Sequence, residues 1–375
     1  MKVAVLGAGP AGLYFGYRLA RAKPDFEIAL FEQNPAAATF GFGVVFSDRA
    51  LEFLRADDPE TVDLIAPRMQ SWRDITVVHR GEAITIDGIG FSAIGRLELL
   101  AALQERVRST GVVARFDHAV RSIDELGGYD LIVAADGVNS LVRRSFEGDF
   151  KTQVAYLDNK FAWYGTTQRF ETLTQTFVET PRGTFNAHHY RYAPGMSTFI
   201  VECDRATWLR YGFDAKGHDA ATADCEAVFA EALGGHRLIS NKSGWRNFPW
   251  ITNERWSHRN MVLVGDALRT AHFSIGSGTR LALEDVIALL AALEAERYDV
   301  PAALARYEQV RRPPVEKLVR ASRASAAWYE DFGRHMRLKP LAFAHAYLSR
   351  GGRMDDTGLR TLAPGFMARY DGRAE

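Results

Sequence analysis

Cysteine is nearly absent from this chain, with only Cys203 and Cys225 in 375 residues. That excludes a disulfide framework and a cysteine-based metal set. Charge of one sign is equally lacking: 46 Lys and Arg balance 46 Asp and Glu. No general attraction to nucleic acid or to an anionic membrane is therefore expected. The longest apolar run, residues 286–293, falls far short of the about 20 residues a bilayer span needs. Histidines and carboxylates show no ligand spacing, so no metal is expected. A strand pattern begins at Lys2-Val3 and leaves no room for a signal peptide, which makes the cytoplasm the expected compartment. Internal repeats and low-complexity segments are missing too. What is present is ordinary for a globular chain, 47% hydrophobic and 25% charged, and the length allows two domains. It leaves a monomer and a homodimer equally open.

The first informative stretch is "VAVLGAGPAGLYFGYRLA", residues 3–20. It reads as a buried strand, a glycine turn and an amphipathic helix, followed by a second strand, "IALFE", at 28–32. Gly7, Gly9 and Gly12 form G-x-G-x-x-G at the turn, around Pro10 and Ala11. Gly7 permits the tight turn, Gly9 lets a pyrophosphate approach the backbone, and Gly12 lets helix and sheet pack closely. Unpaired N–H groups at the helix start then face the diphosphate. Glu32 closes the second strand 20 residues after Gly12, where a carboxylate takes ribose hydroxyls. Gln33 follows with no adjacent arginine, so FAD or NAD fits better than NADP.

Further on, "GYDLIVAADG" (128–137) reads as a short strand ending in an acid and a glycine. From about residue 150 the texture changes to aromatic and β-branched segments: "KFAWYGTTQRF", "LTQTFVE", "TFNAHHYRY", "MSTFIVEC". These predict an antiparallel sheet, joined by a hairpin over 75–86 that turns at Arg80-Gly81. "MVLVGDA" (261–267) returns to the nucleotide fold, a helix is expected over 278–295, and the last eighty residues read as helical, broken or kinked at Pro313-Pro314. The fold class expected is α/β: a Rossmann-like FAD-binding domain with an inserted antiparallel substrate domain and C-terminal helices. Its segments are 1–70, 95–153 and 255–310 for the FAD domain, 71–94 and 154–254 for the substrate domain, and 311–375 for the C-terminal helices.

A second nucleotide-like element, "GDALRTAHFSIGSGTRLALEDV", occupies 265–286. Asp266 ends a strand where it can accept a ribityl or ribose hydroxyl, and Gly276, Ser277, Gly278 and Thr279 open a long helix whose N–H groups can stabilise charge on a ring. No second βαβ unit accompanies it. One extended FAD, reaching from the N-terminal turn to this one, accounts for both.

With "GAGPAG" at 7–12, "DG" at 136–137 and "GD" at 265–266, the chain resembles the FAD-dependent aromatic hydroxylases of the p-hydroxybenzoate-hydroxylase type. The three motifs span almost the whole sequence. The resemblance implies that Arg96 in "IGRLELL" contacts FAD and that Asp136 serves a region shared by FAD and transiently bound NADH or NADPH. It implies further that Asp266 binds the ribose–pyrophosphate side and that Gly276 and Gly278 border the isoalloxazine. Where the family commonly has His, Pro and Asn, this chain has Arg269, Phe273 and Thr279. Those three departures are the first places to look for the substrate. "HFSIGSGT", "FGFGVVFSD", "FAWYGT", "MSTFIVECD" and "GWRNF" instead resemble a subgroup of salicylyl-CoA 5-hydroxylases, the 2-aminobenzoyl-CoA monooxygenase/reductase and the violacein-pathway tryptophan hydroxylase.

The implied chemistry is electrophilic: NAD(P)H reduces FAD, O2 adds at flavin C4a, and the hydroperoxide delivers one oxygen to an electron-rich ring. The expected substrate is a small aromatic molecule, a CoA thioester above all, with salicylyl-CoA giving a gentisyl thioester. An indole-derived or aminobenzoyl-CoA substrate is the alternative, and a reductase of the geranylgeranyl-reductase type the more distant one. Val45, Phe46, Trp163, Tyr164 and Tyr190 are the expected substrate contacts; His188, His272 and Phe273 are the candidate catalytic residues, with a histidine able to share a phenolic proton. Phe161, Phe177, Phe185 and Phe199 read first as sheet core, and His189 as structural. The arginines of "VRRPP" and "VRASRAS" could hold CoA phosphates or merely coat a solvated helix face.

Overall fold

The computed structural model describes residues 1–38, 41–241, 243–352 and 354–372. Its first layer is a six-stranded sheet in the order Ser257–His258, Met261–Leu263, Leu131–Ala134, Lys2–Leu6, Glu27–Phe31, Val113–Arg115. All neighbours are parallel except the first pair. The central strands are continuous apolar runs, Val3 to Leu6 and Leu131 to Ala134, because helices cover both faces and no residue can be left for water. Helix Pro10–Ala22 packs between helices Arg96–Arg108 and Gly278–Ala295, which bears in turn on helix Val300–Glu330.

The second layer is an eight-stranded sheet ordered Leu238–Ser240, Thr152–Thr166, Met196–Cys203, Gly183–Ala193, Leu173–Thr180, Ile75–His79, Glu82–Ile86, with Arg246–Asn253 beside the first half of Thr152–Thr166. It is antiparallel apart from one parallel pair, Leu173–Thr180 with Ile75–His79. The expected hairpin is present, and Arg80 and Gly81 both take positive φ, 55° and 72°, as its two-residue turn requires. One face of this sheet carries Tyr164, Phe185, Phe199 and Cys203 into a core closed by helices Arg205–Arg210, His218–Val228 and Ala230–Leu233. Cys225 lies in the same core, and both thiols are free. The opposite face turns toward the nucleotide fold and helix Val300–Glu330.

A third, three-stranded sheet of Gly43–Ser47, Phe91–Gly95 and Gln70–Trp72 has no counterpart among the sequence expectations. It fastens the two layers: Thr198 Oγ1 accepts from Gly43 N at 2.9 Å, and Tyr190 donates its hydroxyl to Gly43 O at 2.9 Å. Four of the expected domain limits consequently fall inside elements. Strands Gln70–Trp72, Phe91–Gly95 and Thr152–Thr166 cross 70/71, 94/95 and 153/154, and helix Val300–Glu330 crosses 310/311.

That helix rules out a break at Pro313-Pro314 and leaves the alternative of a kink, since both prolines lie inside its 31 residues. Each removes one N–H bond, to the carbonyls of Gln309 and Val310. All four residues are exposed, so water can satisfy the freed carbonyls while Tyr307, Arg311, Val315 and Leu318 bury the other side. Beyond it, helices Pro340–Ser349, Asp356–Leu362 and Pro364–Asp371 fold back on the 75–86 hairpin, where Asp87 accepts from Gly365 N and Phe366 N. Among the described residues no helix is long and apolar enough to cross a membrane, and no group of three potential metal ligands occurs.

Candidate active site

Strand order places the three sequence motifs side by side. The glycine turn follows Lys2–Leu6, Asp136 follows Leu131–Ala134, and Asp266 follows Met261–Leu263. These are adjacent parallel strands, so all three turns stand at one carboxyl edge, where open α/β sheets form their ligand crevice. Gly7 has φ 92°, and a methyl there would sit 2.4 Å from Ala135 O. A methyl on Gly12 would sit 1.9 Å from Gly7 O. Those two glycines are needed by the chain itself. Gly9 differs, because a methyl there meets nothing within 4 Å; it opens on free space. Helix Pro10–Ala22 starts beside it with no side-chain cap, and Pro10 has no N–H to lose.

Each acidic residue has its own environment. Glu32 is tied down, accepting from Ala8 N and from Asn34 N (each 2.8 Å) and from Asn34 Nδ2 (2.7 Å). Gln33 beside it is exposed. Asp136 accepts from Leu141 N at 2.7 Å through Oδ2, whereas Oδ1 is buried without a partner. Burial raises its carboxyl above the ordinary range against the pull of Ser140 and Leu141. Asp266 is reached by solvent yet crowded by protein, as in a recess. Desolvation raises it, and Arg96 followed by Arg269 draws it back. Arg96 is likewise lowered by burial and supported by Asp266 and Tyr190, with its Nε buried and unpaired. Arg143 locks the Asp136 and Asp266 turns together by donating to Val138 O and, at 3.0 Å, to Ala267 O.

The far turn has Gly276 at φ 57°, where a methyl would stand 3.0 Å from Val45 Cγ2. Ser277 precedes helix Gly278–Ala295 without capping it, donating instead to Ile275 O at 3.0 Å. A methyl on Gly278 would meet nothing within 4 Å, and Thr279 is half-buried. Two uncapped helix starts, two open glycines and orphaned polar atoms on Asp136 and Arg96 suit an extended anionic ligand along this edge, as FAD is.

Beside Gly276 the inner face of the eight-stranded sheet presents aromatic rings. Phe273 lies 5.0 Å from Phe161, 6.0 Å from Phe248 and 6.5 Å from Trp163, between ring centroids. Trp163 is half-buried there and touches the Gly41 turn, while Tyr190 is buried near Arg96. Two expected contacts point elsewhere. Tyr164 follows Trp163 on the same strand and so faces the opposite core, within 3.5 Å of Thr222 Oγ1. Phe46 follows Val45 and lies 1% exposed in the core of the parallel sheet. Strand alternation excludes both from the aromatic-lined recess.

Nor do the histidines open on solvent. His188 Nδ1 is 3.0 Å from Gln175 Nε2, and burial lowers its pKa to about 3. His272 is lowered to about 4 by burial, against the upward pull of Glu202. Both rings pack behind Phe273, at 5.2 and 4.1 Å. Between them lies Glu202, 1% exposed, accepting from Asn159 Nδ2 at 2.8 Å. Its carboxyl is raised by burial. Sequence reasoning misses Glu202, although period-two alternation in "MSTFIVECD" sets it with Thr198 and Ile200 on the face opposite Phe199 and Val201. His189 points to the other core, its pKa also near 3, and bonds Thr176 Oγ1 at 2.8 Å.

Arg269 proves unavailable to a substrate. It forms two 2.8 Å bonds with Asp285, which also accepts from Arg311 Nε (3.0 Å) and Gly265 N (3.0 Å). Arg311 bonds Glu284 as well, and Arg312 is engaged by Glu308 and Glu254 O. The arginines of "VRRPP" therefore hold the protein together. Arg320 and Arg323 of "VRASRAS" are exposed.

Comparison with known proteins agrees with this geometry. Residues 128–322 match an FAD binding domain family, and residues 5–47 an NAD(P)-binding Rossmann-like domain. The chain is 41% identical over 99% of its length to a salicyloyl-CoA 5-hydroxylase from a Streptomyces species, covering 74% of that protein. It is 38% identical over 88% of its length to the 3-hydroxy-4-methyl-anthranilyl-[aryl-carrier protein] 5-monooxygenase of Streptosporangium sibiricum, covering 89% of it. With the protodeoxyviolaceinate monooxygenase of Chromobacterium violaceum it shares 36% identity, over 93% of this chain and 94% of that one. Among solved structures, PqsL of Pseudomonas aeruginosa in complex with 2-aminobenzoylacetate superposes with a TM-score of 0.70, at 20% identity, over 90% of this chain and 98% of that one; this is a likeness of fold. None of these relatives is a reductase of the geranylgeranyl type. This chain thus belongs to the FAD-dependent aromatic-ring monooxygenases, which use NAD(P)H and O2.

Proposed function

We propose that the enzyme hydroxylates the ring of an aromatic acyl thioester, with salicylyl-CoA as substrate and the gentisyl thioester as product. The observation that carries this reading is the 41% identity to a salicyloyl-CoA 5-hydroxylase along almost the entire chain. A second relative is named for an anthranilyl group on a carrier protein, which also favours a ring held as a thioester. An indole-derived or aminobenzoyl substrate is the second reading, favoured by the 36% identity to the violacein-pathway enzyme.

The residues fit such a reaction. Bound FAD supplies electron transfer from NAD(P)H and activation of O2 for transfer of one oxygen atom to the ring. Gly9 and the uncapped start of helix Pro10–Ala22 would receive the pyrophosphate, Glu32 the adenosine ribose, and Arg96, Asp136 and Asp266 the remainder of the chain toward the ring. At the ring, the N–H groups opening helix Gly278–Ala295, with Gly276, Ser277 and Thr279 about them, would offset negative charge. Val45, Phe161, Trp163 and Phe273 would hold the substrate ring by apolar contact and exclude water. Such a site needs no strong exposed base, in keeping with two buried, neutral histidines.

A panel of salicylyl-CoA, aminobenzoyl-CoA, free salicylate and tryptophan derivatives tests the assignment. NAD(P)H oxidation should accelerate with salicylyl-CoA alone, with one oxygen atom added to the product by mass spectrometry. Acceleration by free salicylate or by an indole, and none by an aryl-CoA, would overturn it.

A further inference from the structure

Arg350 follows helix Pro340–Ser349, far in sequence from every motif, yet reaches the turn that precedes Gly276. Its Nη2 donates to Ser274 O at 2.9 Å, its Nη1 to Tyr347 O at 2.6 Å, and its Nε to Ser325 Oγ at 3.0 Å. The guanidinium lies 3.8 Å from the Tyr347 ring centre. From Ser325 the contacts continue inward, through Ser274 Oγ at 2.8 Å to His272 Nδ1 at a further 2.8 Å. Ser274, Ser325 and His272 are all buried.

Its direction is read from the arginine end, where the donor is obligatory. Arginine only donates, so Ser325 accepts at that end and its own hydrogen is free to pass inward. That hydrogen points along the 2.8 Å contact to Ser274 Oγ, whose own hydrogen turns to His272 Nδ1; the Ser274 backbone N–H, at 3.4 Å from Nδ1, is too long to hold the tautomer by itself. In this arrangement Ser274 Oγ donates to Nδ1 and accepts from Ser325. His272 is neutral near pH 7, and its single proton is left on Nε2, which faces Glu202 Oε1 at 4.0 Å. His188 is arranged alike. Tyr329 donates its hydroxyl to Gln175 Oε1 at 3.0 Å, turning the amide nitrogen to His188 Nδ1 and leaving the His188 proton on Nε2, 3.6 Å from Glu202 Oε2. Neither His188 Nε2 nor Glu202 Oε2 has another partner. Three N–H groups, from Asn159, His188 and His272, therefore converge on one buried carboxyl group.

We propose that Arg350 is a positioning residue of the reaction: through Ser325 and Ser274 it sets His272 as the Nε2–H tautomer directed at Glu202 and fixes the turn that carries Phe273 and Gly276. This rests on the reading of that turn as the border of the flavin ring. Lysine cannot replace Arg350, because one ammonium does not span three acceptors in a planar fork. Small displacements at such a turn are expensive in rate, since about 1 Å of misplacement costs about 100-fold.

The test is 15N NMR of imidazole-labelled, FAD-loaded protein, with no substrate present. Wild type should show His272 with its proton on Nε2. Arg350→Met, Arg350→Lys and Ser325→Ala should each give a mixed tautomer. In turnover with the preferred aromatic substrate, Arg350→Met should lower kcat about 10- to 100-fold with KM and FAD content near wild type, a loss that Arg350→Lys does not rescue. A wild-type His272 protonated on Nδ1 would overturn the proposal, as would a wild-type tautomer and kcat in Arg350→Met. Should Arg350→Met fail to fold, Ser325→Ala decides the matter, because it breaks the chain and leaves the guanidinium in place. A wild-type enzyme that has the Nε2–H tautomer but turns over only an indole counts against the substrate reading and supports this one.

Discussion

At the scale of single residues, the pair Trp163-Tyr164 shows how one peptide unit separates ligand from core. The sequence offers both as substrate contacts, and only Trp163 faces the recess. Tyr164→Phe should therefore leave KM and kcat near wild type and cost only the about 0.5–1.5 kcal/mol of a neutral hydrogen bond. Trp163→Ala should raise KM for the aromatic substrate about tenfold or more, as losing an aromatic anchor does. Steady-state kinetics and thermal melting of the two variants check both halves. If Tyr164→Phe were the one to lose the substrate, the strand face assigned here would be wrong. Val45 and Phe46 repeat the pattern on a second strand. The glycine motif is legible residue by residue because its demands are local: positive φ at Gly7 and contact at Gly12 are satisfied within one turn. Glu202 is not, because its meaning depends on partners from three other elements, Asn159, His188 and His272.

At the scale of elements, helix Gly278–Ala295 carries a buried charge network that the sequence does not announce. Asp285 is fully buried and answers Arg269 and Arg311 together while accepting from Gly265 N. It thereby ties the Asp266 turn to two helices. Asp285→Ala leaves Arg269 in a dry interior without its carboxylate and Arg311 with Glu284 alone, and should destabilise the fold by about 3–5 kcal/mol. Urea unfolding measures that loss, and FAD retention should fall with it because Gly265 N loses its acceptor. Arg269 also explains why the common family pattern is altered here. Its position looks like a substrate contact only because neighbouring motif residues are ligand-facing, whereas the backbone turns it inward. Pro313-Pro314 carries the same lesson in the other direction. A local rule foretells a break, and burial on the far side of a 31-residue helix overrides it.

For the whole molecule, three buried histidines predict an acid limit. In the unfolded chain each titrates near 6.5, while folded His188 and His189 titrate at about 3 and His272 at about 4. Below the unfolded value the unfolded chain binds protons that the folded one refuses, so stability is full above about pH 6.5 and falls as the pH drops toward 4. Each histidine can contribute up to about 1.4 kcal/mol per pH unit in that window. Glu202, raised by burial, works in the opposite sense and offsets part of the loss. Urea midpoints should decline steadily from about pH 7 to about pH 4, and His189→Gln should flatten the decline; a midpoint independent of pH would contradict the burial of these rings. The sequence by itself determined the class of fold and the FAD site, because the βαβ turn, the acidic strand ends and the glycine-rich helix start are fixed by local backbone geometry and recur at set spacings; the chemistry came through the family those motifs resemble. Only the tertiary structure decided which aromatic side chains face the recess, that Arg269 and Arg311 serve the core, and that Glu202, His188, His272 and Arg350 meet behind Phe273. Those outcomes depend on sheet order, strand facing and the return of the C-terminal helices, long-range contacts that no window along the chain contains.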